Sequence, residues 1–307
     1  MNILIVQNSV FPAFLYGGTE RVLWYLAHEL HKKGHKVSLL CKSGSECPFA
    51  KCLTYNPQKH INEQIPDDVD VIHFNTSELG YTGGKPYVVT VHGNYNAVVP
   101  KNAIFVSRNH AERHGSENYV YNGLDWDDYG ELNTSSPREY YHFLGKAAWR
   151  VKNVRGAIDI VKSLPGEKLY VLGGTRINFK MGFRLTLSPR VRFKGMVGGK
   201  EKVDLIQHSK GLIFPVKWDE PFGLAITESL YCGCPVFGTP YGSLPELVPK
   251  EVGFLTEDMP EMVEHLRNHY DYNPVTCHEY ARDLFNSQIM AERYLEYYER
   301  VLSGDFF

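Results

Sequence analysis

Nowhere in the 307 residues do 18 apolar residues follow one another, so no membrane-spanning helix is expected. A charge imbalance is missing too. Lys and Arg number 33 against 35 Asp and Glu, a formal net charge of −2. That excludes the strongly basic surface on which binding to a phosphate backbone depends, and nucleic acid is not an expected partner. Six cysteines (Cys41, Cys47, Cys52, Cys232, Cys234 and Cys277) include no Cys-x-x-Cys pair. They read as reduced thiols rather than a zinc ribbon. His110/His114 and His265/His269 have the four-residue spacing of helical metal pairs, but no third ligand follows at a diagnostic distance. These four read as surface histidines, and no metal site is expected. No basic-then-apolar leader precedes Ile3–Val6, and a cytoplasmic location is the expectation. A Gly-x-Gly-x-x-Gly fingerprint is also absent, which removes the usual support for a nicotinamide oxidoreductase.

What remains is an ordinary globular composition, 43% apolar and 22% charged, long enough for two domains. Residues 2–7 (NILIVQ) suit a buried parallel strand. A loop ending in Gly17-Gly18 then opens a helix with apolar Val22, Leu23, Leu26 and Leu30. Gly34 ends that helix and residues 36–41 form the next strand. Strand, glycine loop, helix and strand make a Rossmann-like opening. Further strands are predicted over 70–73, 87–91, 103–107 and 119–121. His73 and His92 stand at strand ends, where open α/β sheets hold their ligands. Residues 125–139 are polar and read as a linker.

A second sheet starts at 141–144, followed by a helix over 154–163 and a strand over 168–172 with Gly173-Gly174 behind it. The most informative stretch is FPVKWDEPFGLAITESLYCGCPV, residues 214–236. A strand ending at Phe214 leads through Glu220-Pro221-Phe222-Gly223 into a helix from Leu224 to Tyr231, which Gly233 stops. The helix start offers its amides to a phosphate or sugar oxygen, with Glu220 beside them. Glu228 lies about five residues into the helix, roughly 7.5 Å along its axis at 1.5 Å per residue. Two carboxylates so placed suit the two ends of one ligand. Helices are predicted over 259–270 and 275–302, the latter carrying Tyr294, Tyr297 and Tyr298.

Glu220-Pro-Phe-Gly-Leu, then Glu228-Ser-Leu and Gly233-Cys-Pro-Val, closely resembles the donor site of retaining GT-B glycosyltransferases of family 4. The resemblance extends to Gly17-Gly18-Thr19-Glu20, to Thr90-Val-His92-Gly93, to Asn122-Gly123-Leu124-Asp125 and to Tyr241-Gly242-Ser-Leu-Pro245-Glu246. It implies an α/β GT-B fold: two Rossmann-like domains facing across a cleft, with the C-terminal helix returning to the first. The boundaries it implies are 1–124 with 287–307 for the acceptor side, a linker at 125–139, and 140–286 for the donor side.

The implied activity is a metal-independent, retaining hexosyl transfer from a nucleotide-diphosphate-sugar. The donor would be uridine- or guanosine-linked, and no further cofactor is expected. By resemblance His92, Glu220 and Lys152 are catalytic. Gly17, Gly18, Lys146, Arg150, Gly174, Phe222, Gly223, Leu224 and Glu228 bind the donor, with Glu220 on the sugar and Glu228 on the ribose. Lys146 stands where the family has arginine, which removes a bidentate fork, and Arg150 is the alternative cation. The acceptor, whether glycan, lipid-linked glycan or small molecule, is not specified, and contact with a membrane surface stays open. The first domain is short between its second strand and His92. A non-catalytic nucleotide-sugar-binding or partner subunit is therefore the competing reading.

Overall fold

The computed structural model describes residues 1–13, 17–75, 77–94, 98–179, 181–268 and 272–307. The chain divides into two compact units, Met1–Asp125 with Phe285–Phe307, and Trp126–Leu284. In the first, β1 (Asn2–Gln7), α1 (Gly18–Lys32), β2 (Lys36–Cys41), β3 (Lys51–Thr54), β4 (Val71–Asn75), β5 (Tyr87–Val91), β6 (Ala103–Phe105) and α2 (Arg108–Glu112) follow in order. The six strands form one parallel sheet, ordered β3-β2-β1-β4-β5-β6. Ile3 to Val6 and all of β4 are buried, as expected of strands covered on both faces.

The second unit repeats the plan. It comprises β7 (Tyr140–Leu144), α3 (Val154–Lys162), β8 (Leu169–Leu172), β9 (Ile177–Asn178), β10 (Arg184–Leu185), β11 (Val191–Phe193), α4 (Gly199–Gln207), β12 (Ser209–Phe214), α5 (Leu224–Tyr231), β13 (Val236–Gly238), α6 (Leu244–Leu247), β14 (Gly253–Leu255), α7 (Met259–Asn268) and α8 (Pro274–Leu284). Its parallel sheet runs β11-β8-β7-β12-β13-β14, and β9 and β10 form a separate antiparallel hairpin. Strand order reverses between β1 and β4 in one sheet and between β7 and β12 in the other. In open α/β sheets such switch points open the crevice that receives a ligand.

The final helix, α9 (Ser287–Leu302), returns to the first unit. There the hydroxyl of Tyr298 meets His73 Nδ1 at 2.7 Å, and Tyr294 meets Thr90 Oγ1 at 3.0 Å. Both tyrosines are buried, so the aromatic stripe is packing.

Several expectations are corrected. The single helix predicted over 275–302 is two. Phe285 turns into the core, and Asn286 accepts a hydrogen bond from the Ile289 amide at 2.8 Å, starting α9 afresh. The strand predicted at 119–121 reduces to one bridge between Phe105 and Tyr119. The helix predicted over 259–270 is described to Asn268, and its last two positions, His269 among them, lie outside the described residues. Strand β3 and the β9–β10 hairpin were not anticipated. Within 125–139, read as a linker, Trp126–Tyr129 form a 3-10 turn in which Trp126 and Tyr129 are buried in the second unit.

Candidate active site

Two side chains hold the Glu220 carboxylate. Lys152 donates to its Oε2, and Trp218 Nε1 donates to the same oxygen at 3.0 Å. The Lys152 ammonium lies 5.0 Å from the Trp218 ring centre and 5.4 Å from that of Phe214, a cation–π setting. Lys152 ends a 3-10 turn at Arg150–Lys152 whose position is fixed by two hydrogen bonds to the loop after β12. Lys217 N donates to Val151 O at 2.7 Å, and Asn153 Nδ2 donates to Pro215 O at 2.8 Å. Asn153 is left-handed (φ 55°) and its side chain caps α3 through the Gly156 amide.

The backbone of Glu220 is clamped by the turn around Gly242. A Cβ on Gly242, whose φ is 62°, would stand 2.2 Å from Glu220 N, so only glycine fits. The next residue, Ser243, donates its amide to Glu220 O at 2.9 Å and its hydroxyl to Phe222 O at 2.6 Å. Gly223 (φ 94°) then turns the chain into α5, whose first turn presents its amides beside this acid. Phe222 is buried, and Leu224 is half-buried on the opening turn.

Glu228 is neither a solvated acid nor a surface one. Its side chain is 3% exposed, and its Oε1 accepts from both the Lys202 ammonium on α4 and the Tyr129 hydroxyl. Tyr129 is placed by the turn that begins at Trp126, whose indole stacks on Tyr231 with centres 4.1 Å apart. Lys202 and Tyr129 were not anticipated. The sequence signal for Lys202 is weak, since a lysine on a short polar helix reads as a surface charge until α4 is laid against α5.

The loops after β7 and β8 lie against one another. Gly145 N donates to Leu172 O, and Ala147 N to Gly173 O at 2.7 Å. A Cβ on Gly173 would stand 2.1 Å from Gly145 O, and one on Gly174 2.7 Å from Ala147 Cβ. Lys146 leaves this junction exposed, 5.3 Å from the Trp149 ring centre. Arg150 points elsewhere: a Cβ on Gly182 would come 2.2 Å from its guanidinium. Of the three candidate cations, the structure brings Lys152 alone to Glu220.

In the first unit, Gly17 is buried with φ 152°, and a Cβ there would stand 2.7 Å from Glu20 Oε2. Glu20 in turn accepts from Ser9 Oγ at 2.9 Å. Gly17-Gly18 is thus a tight entry to α1 rather than a loose turn. His92 follows β5, with Nε2 2.8 Å from Asn75 Oδ1. Asn75 donates its Nδ2 to Val6 O at 3.1 Å, which fixes the amide so that Oδ1 faces the imidazole. His92 therefore carries its proton on Nε2 and presents Nδ1 as an acceptor. Burial pushes its pKa down to about 4, so the ring is neutral at neutral pH.

Several of the other described histidines have structural partners, and His110 is not on the surface as expected. His110 is fully buried. It donates Nε2–H to Gly93 O at 3.1 Å, and burial pushes its pKa down to about 3. His265 stacks on Phe254 with centres 3.9 Å apart. His73 sits between Tyr298 and Thr90, and His142 between the hydroxyls of Ser209 and Ser229 at 2.7 and 2.8 Å. Among the described residues the one cluster with metal-ligating geometry is His28, Glu29 and Asp125 in the first unit. The Lys32 ammonium already occupies it, 2.9 Å from Glu29 and 3.7 Å from Asp125. No helix among the described residues is long and apolar enough to cross a membrane.

Two parallel six-stranded sheets, each with a switch point, and a paired acid at the start of a helix after β12 define the GT-B glycosyltransferase class. Comparison with known proteins agrees. Residues 138–271 match the family described as glycosyl transferases group 1, and residues 16–127 match glycosyltransferase family 4. The chain belongs to the GT-B glycosyltransferases of family 4 type. No curated protein matches it in sequence. Among solved structures it is similar to AviGT4, a glycosyltransferase involved in avilamycin A biosynthesis, at 21% identity with a TM-score of 0.79 over 100% of this chain and 99% of that one. It is similar also to sucrose-phosphate synthase from Thermosynechococcus elongatus, at 16% identity and TM-score 0.77 over 99% of both chains. Anabaena HepE in complex with UDP and glucose gives 17% identity and TM-score 0.70 over 96% of this chain and 98% of that one. At these identities the likeness concerns the fold.

Proposed function

We propose that this glycosyltransferase takes its sugar from a nucleotide-diphosphate-sugar, uridine-linked in the first instance, and transfers it with retention and without a metal ion. The observation that carries the reading is the Lys152–Glu220–Trp218 arrangement at the entrance to α5. A cation, an acid and a helix start in one place suit a diphosphate joined to a polyhydroxylated sugar. Lys152 and the first-turn amides of α5 would take up the charge that grows on the leaving diphosphate. Glu220 would accept from sugar hydroxyls and Glu228 from the ribose. The neutral His92, with Nδ1 as acceptor, would orient a hydroxyl in the first unit. In the step itself the bond between the anomeric carbon and the phosphate oxygen breaks. The acceptor oxygen bonds to that carbon on the same face, and its proton passes to the departing phosphate oxygen. The Anabaena relative, in complexes with UDP and with UDP-glucose, supports uridine as the base to try first.

Calorimetry with UDP, GDP and ADP tests the donor class. The bound nucleotide at about 100 times its Kd should add roughly 2.7 kcal/mol of stability. Proton NMR of the product formed from UDP-glucose and a panel of glycosides reads the anomeric outcome, with and without EDTA. Inversion overturns the retaining assignment, and loss of turnover on chelation overturns the metal-free one. If none of the nucleotides binds, the donor assignment itself fails.

A further inference from the structure

The β9–β10 hairpin is inside out. A hairpin lying on a protein surface ordinarily turns apolar residues inward and polar residues to water. Here Arg184 and Thr186 are buried, while Ile177, Phe179, Met181, Phe183, Leu185 and Leu187, at alternate positions, are exposed by 47% to 80%. Ile177 and Leu185 are register partners, and the rings of Phe179 and Phe183 pack with centres 5.7 Å apart, so these side chains form one face.

The inner face explains why the hairpin holds that way round. Arg184 donates to Thr175 O at 2.9 Å and lies 4.7 Å from the Phe193 ring centre. Arg176 spans Thr186 O, Ser188 O and Val191 O at 3.1, 3.1 and 2.7 Å. The polar side is stapled to the protein, and the apolar side is presented outward. An exposed contiguous apolar face of this kind marks a surface that meets something.

Charge indicates what it meets. Between Glu167 and Glu201 the sequence has eight Lys and Arg and no Asp or Glu. Arg192 and Lys194, both exposed, follow the hairpin in and after β11, and no carboxylate pairs with either among the described residues. Arg155 and Lys162 on α3 line a groove of about 500 Å³ beside Phe183, Leu185 and Leu187, with Asp159 the one acid in its lining. A second copy of this chain fits poorly, because a two-fold contact through this face would bring like charges together.

We propose that the hairpin face docks on an anionic lipid surface, with Phe179, Met181, Phe183 and Leu187 entering the interface and Arg192 and Lys194 meeting lipid phosphates. Large apolar side chains flanked by basic residues are the composition that binds at such an interface.

The test is cosedimentation of the full chain with vesicles of about two parts phosphatidylcholine to one part phosphatidylglycerol, and with phosphatidylcholine alone. Binding to the first, weakened by salt and absent from the second, is expected. Phe179→Ser/Phe183→Ser/Leu187→Ser should lower partitioning about tenfold or more, with the melting temperature unchanged because these side chains are exposed. Arg192→Glu/Lys194→Glu keeps the apolar face and should lower it roughly fivefold for each charge removed, and further for the reversal. No binding to either vesicle, or binding that both variants leave intact, overturns the proposal. So does self-association of the wild-type chain in sedimentation velocity that the serine variant abolishes, since the face would then be a contact between copies.

Discussion

Lys202 on α4 and Glu228 on α5 form an ion pair almost closed to water, with side-chain exposures of 8% and 3%. The Tyr129 hydroxyl bonds the same carboxylate oxygen. Neither partner can be removed cheaply, because the remaining charge would stay buried.

Lys202→Met should therefore cost about 3–5 kcal/mol of stability in the second unit, read by urea unfolding. Lys202→Met/Glu228→Gln should recover most of that loss, since it removes both charges. If Glu228 also serves the ribose, the double variant should fold and still bind nucleotide weakly. Full stability of Lys202→Met alone would show that the pair opens to solvent.

His92 should act as a neutral ring. Its pKa of about 4 lies below the working range, so protonation of His92 should impose no change in kcat between pH 6 and 8. His92→Ala should lower transfer strongly while fold and nucleotide affinity stay nearly unchanged. Asn75→Ala removes the acceptor that fixes Nε2–H and should lower kcat by about tenfold with KM for the donor little altered. A His92-dependent step in the rate near pH 6.5 would contradict the neutral assignment.

Acid should destabilise both units, for a reason visible in each. Burial pushes His73 in the first and His142 in the second down to about 3, so each is neutral in the folded state while the unfolded chain takes up a proton near 6.5. The unfolded state then binds more protons, and stability falls as pH drops from 6.5 towards 3. At pH 5 the loss is about 2 kcal/mol for each histidine. Melting temperatures at pH 7.5 and pH 5 read it. His142→Gln should be less stable at neutral pH yet lose less on acidification, and a pH dependence identical to wild type would refute the link.

The Gly242 turn should be as demanding as the acids. An alanine there would meet Glu220 N at 2.2 Å in a left-handed conformation. Gly242→Ala is expected to cost about 2 kcal/mol or more and to lower donor affinity by moving the Glu220 loop. Unchanged affinity with only the stability loss would separate the turn from the site.

How far the sequence reaches depends on whether a residue's role is local. The entry to α5 could be read because Gly223, Glu220 and the helix they start are neighbours in the chain, and β12, α5 and β13 follow from apolar runs and a glycine stop. The break at Asn286 was missed because apolar spacing continues across it, and only the burial of Phe285 makes the chain turn. Lys202 and Tyr129 were missed for a different reason. Lys202 and Tyr129 act on an acid 26 and 99 residues away, and a lone lysine or tyrosine carries no pattern. His110 misled in the opposite direction. Its i,i+4 partner suggests a surface pair, yet the exposed face of α2 carries Arg108 and Glu112, and His110 lies with Ala111 on the buried face, turned inward beneath Gly93.

Glu220 and Lys152 are ion-pair partners before any donor arrives. If the diphosphate binds at Lys152, it must share or displace the carboxylate that holds the ammonium now. Lys152→Ala removes the cation and should weaken UDP by about 10- to 150-fold, the range of a charge-assisted hydrogen bond worth 1.5–3 kcal/mol. Glu220→Gln removes the competing anion instead. UDP affinity should then hold or rise, while sugar transfer falls because the hydroxyl acceptor is gone. Trp218→Phe should sit between the two, loosening Glu220 without changing any charge. Calorimetry with UDP on the three variants, alongside transfer rates, resolves the roles. Equal losses of UDP binding in Lys152→Ala and Glu220→Gln would mean that the ion pair acts as one structural unit, and that the division between phosphate and sugar is wrong.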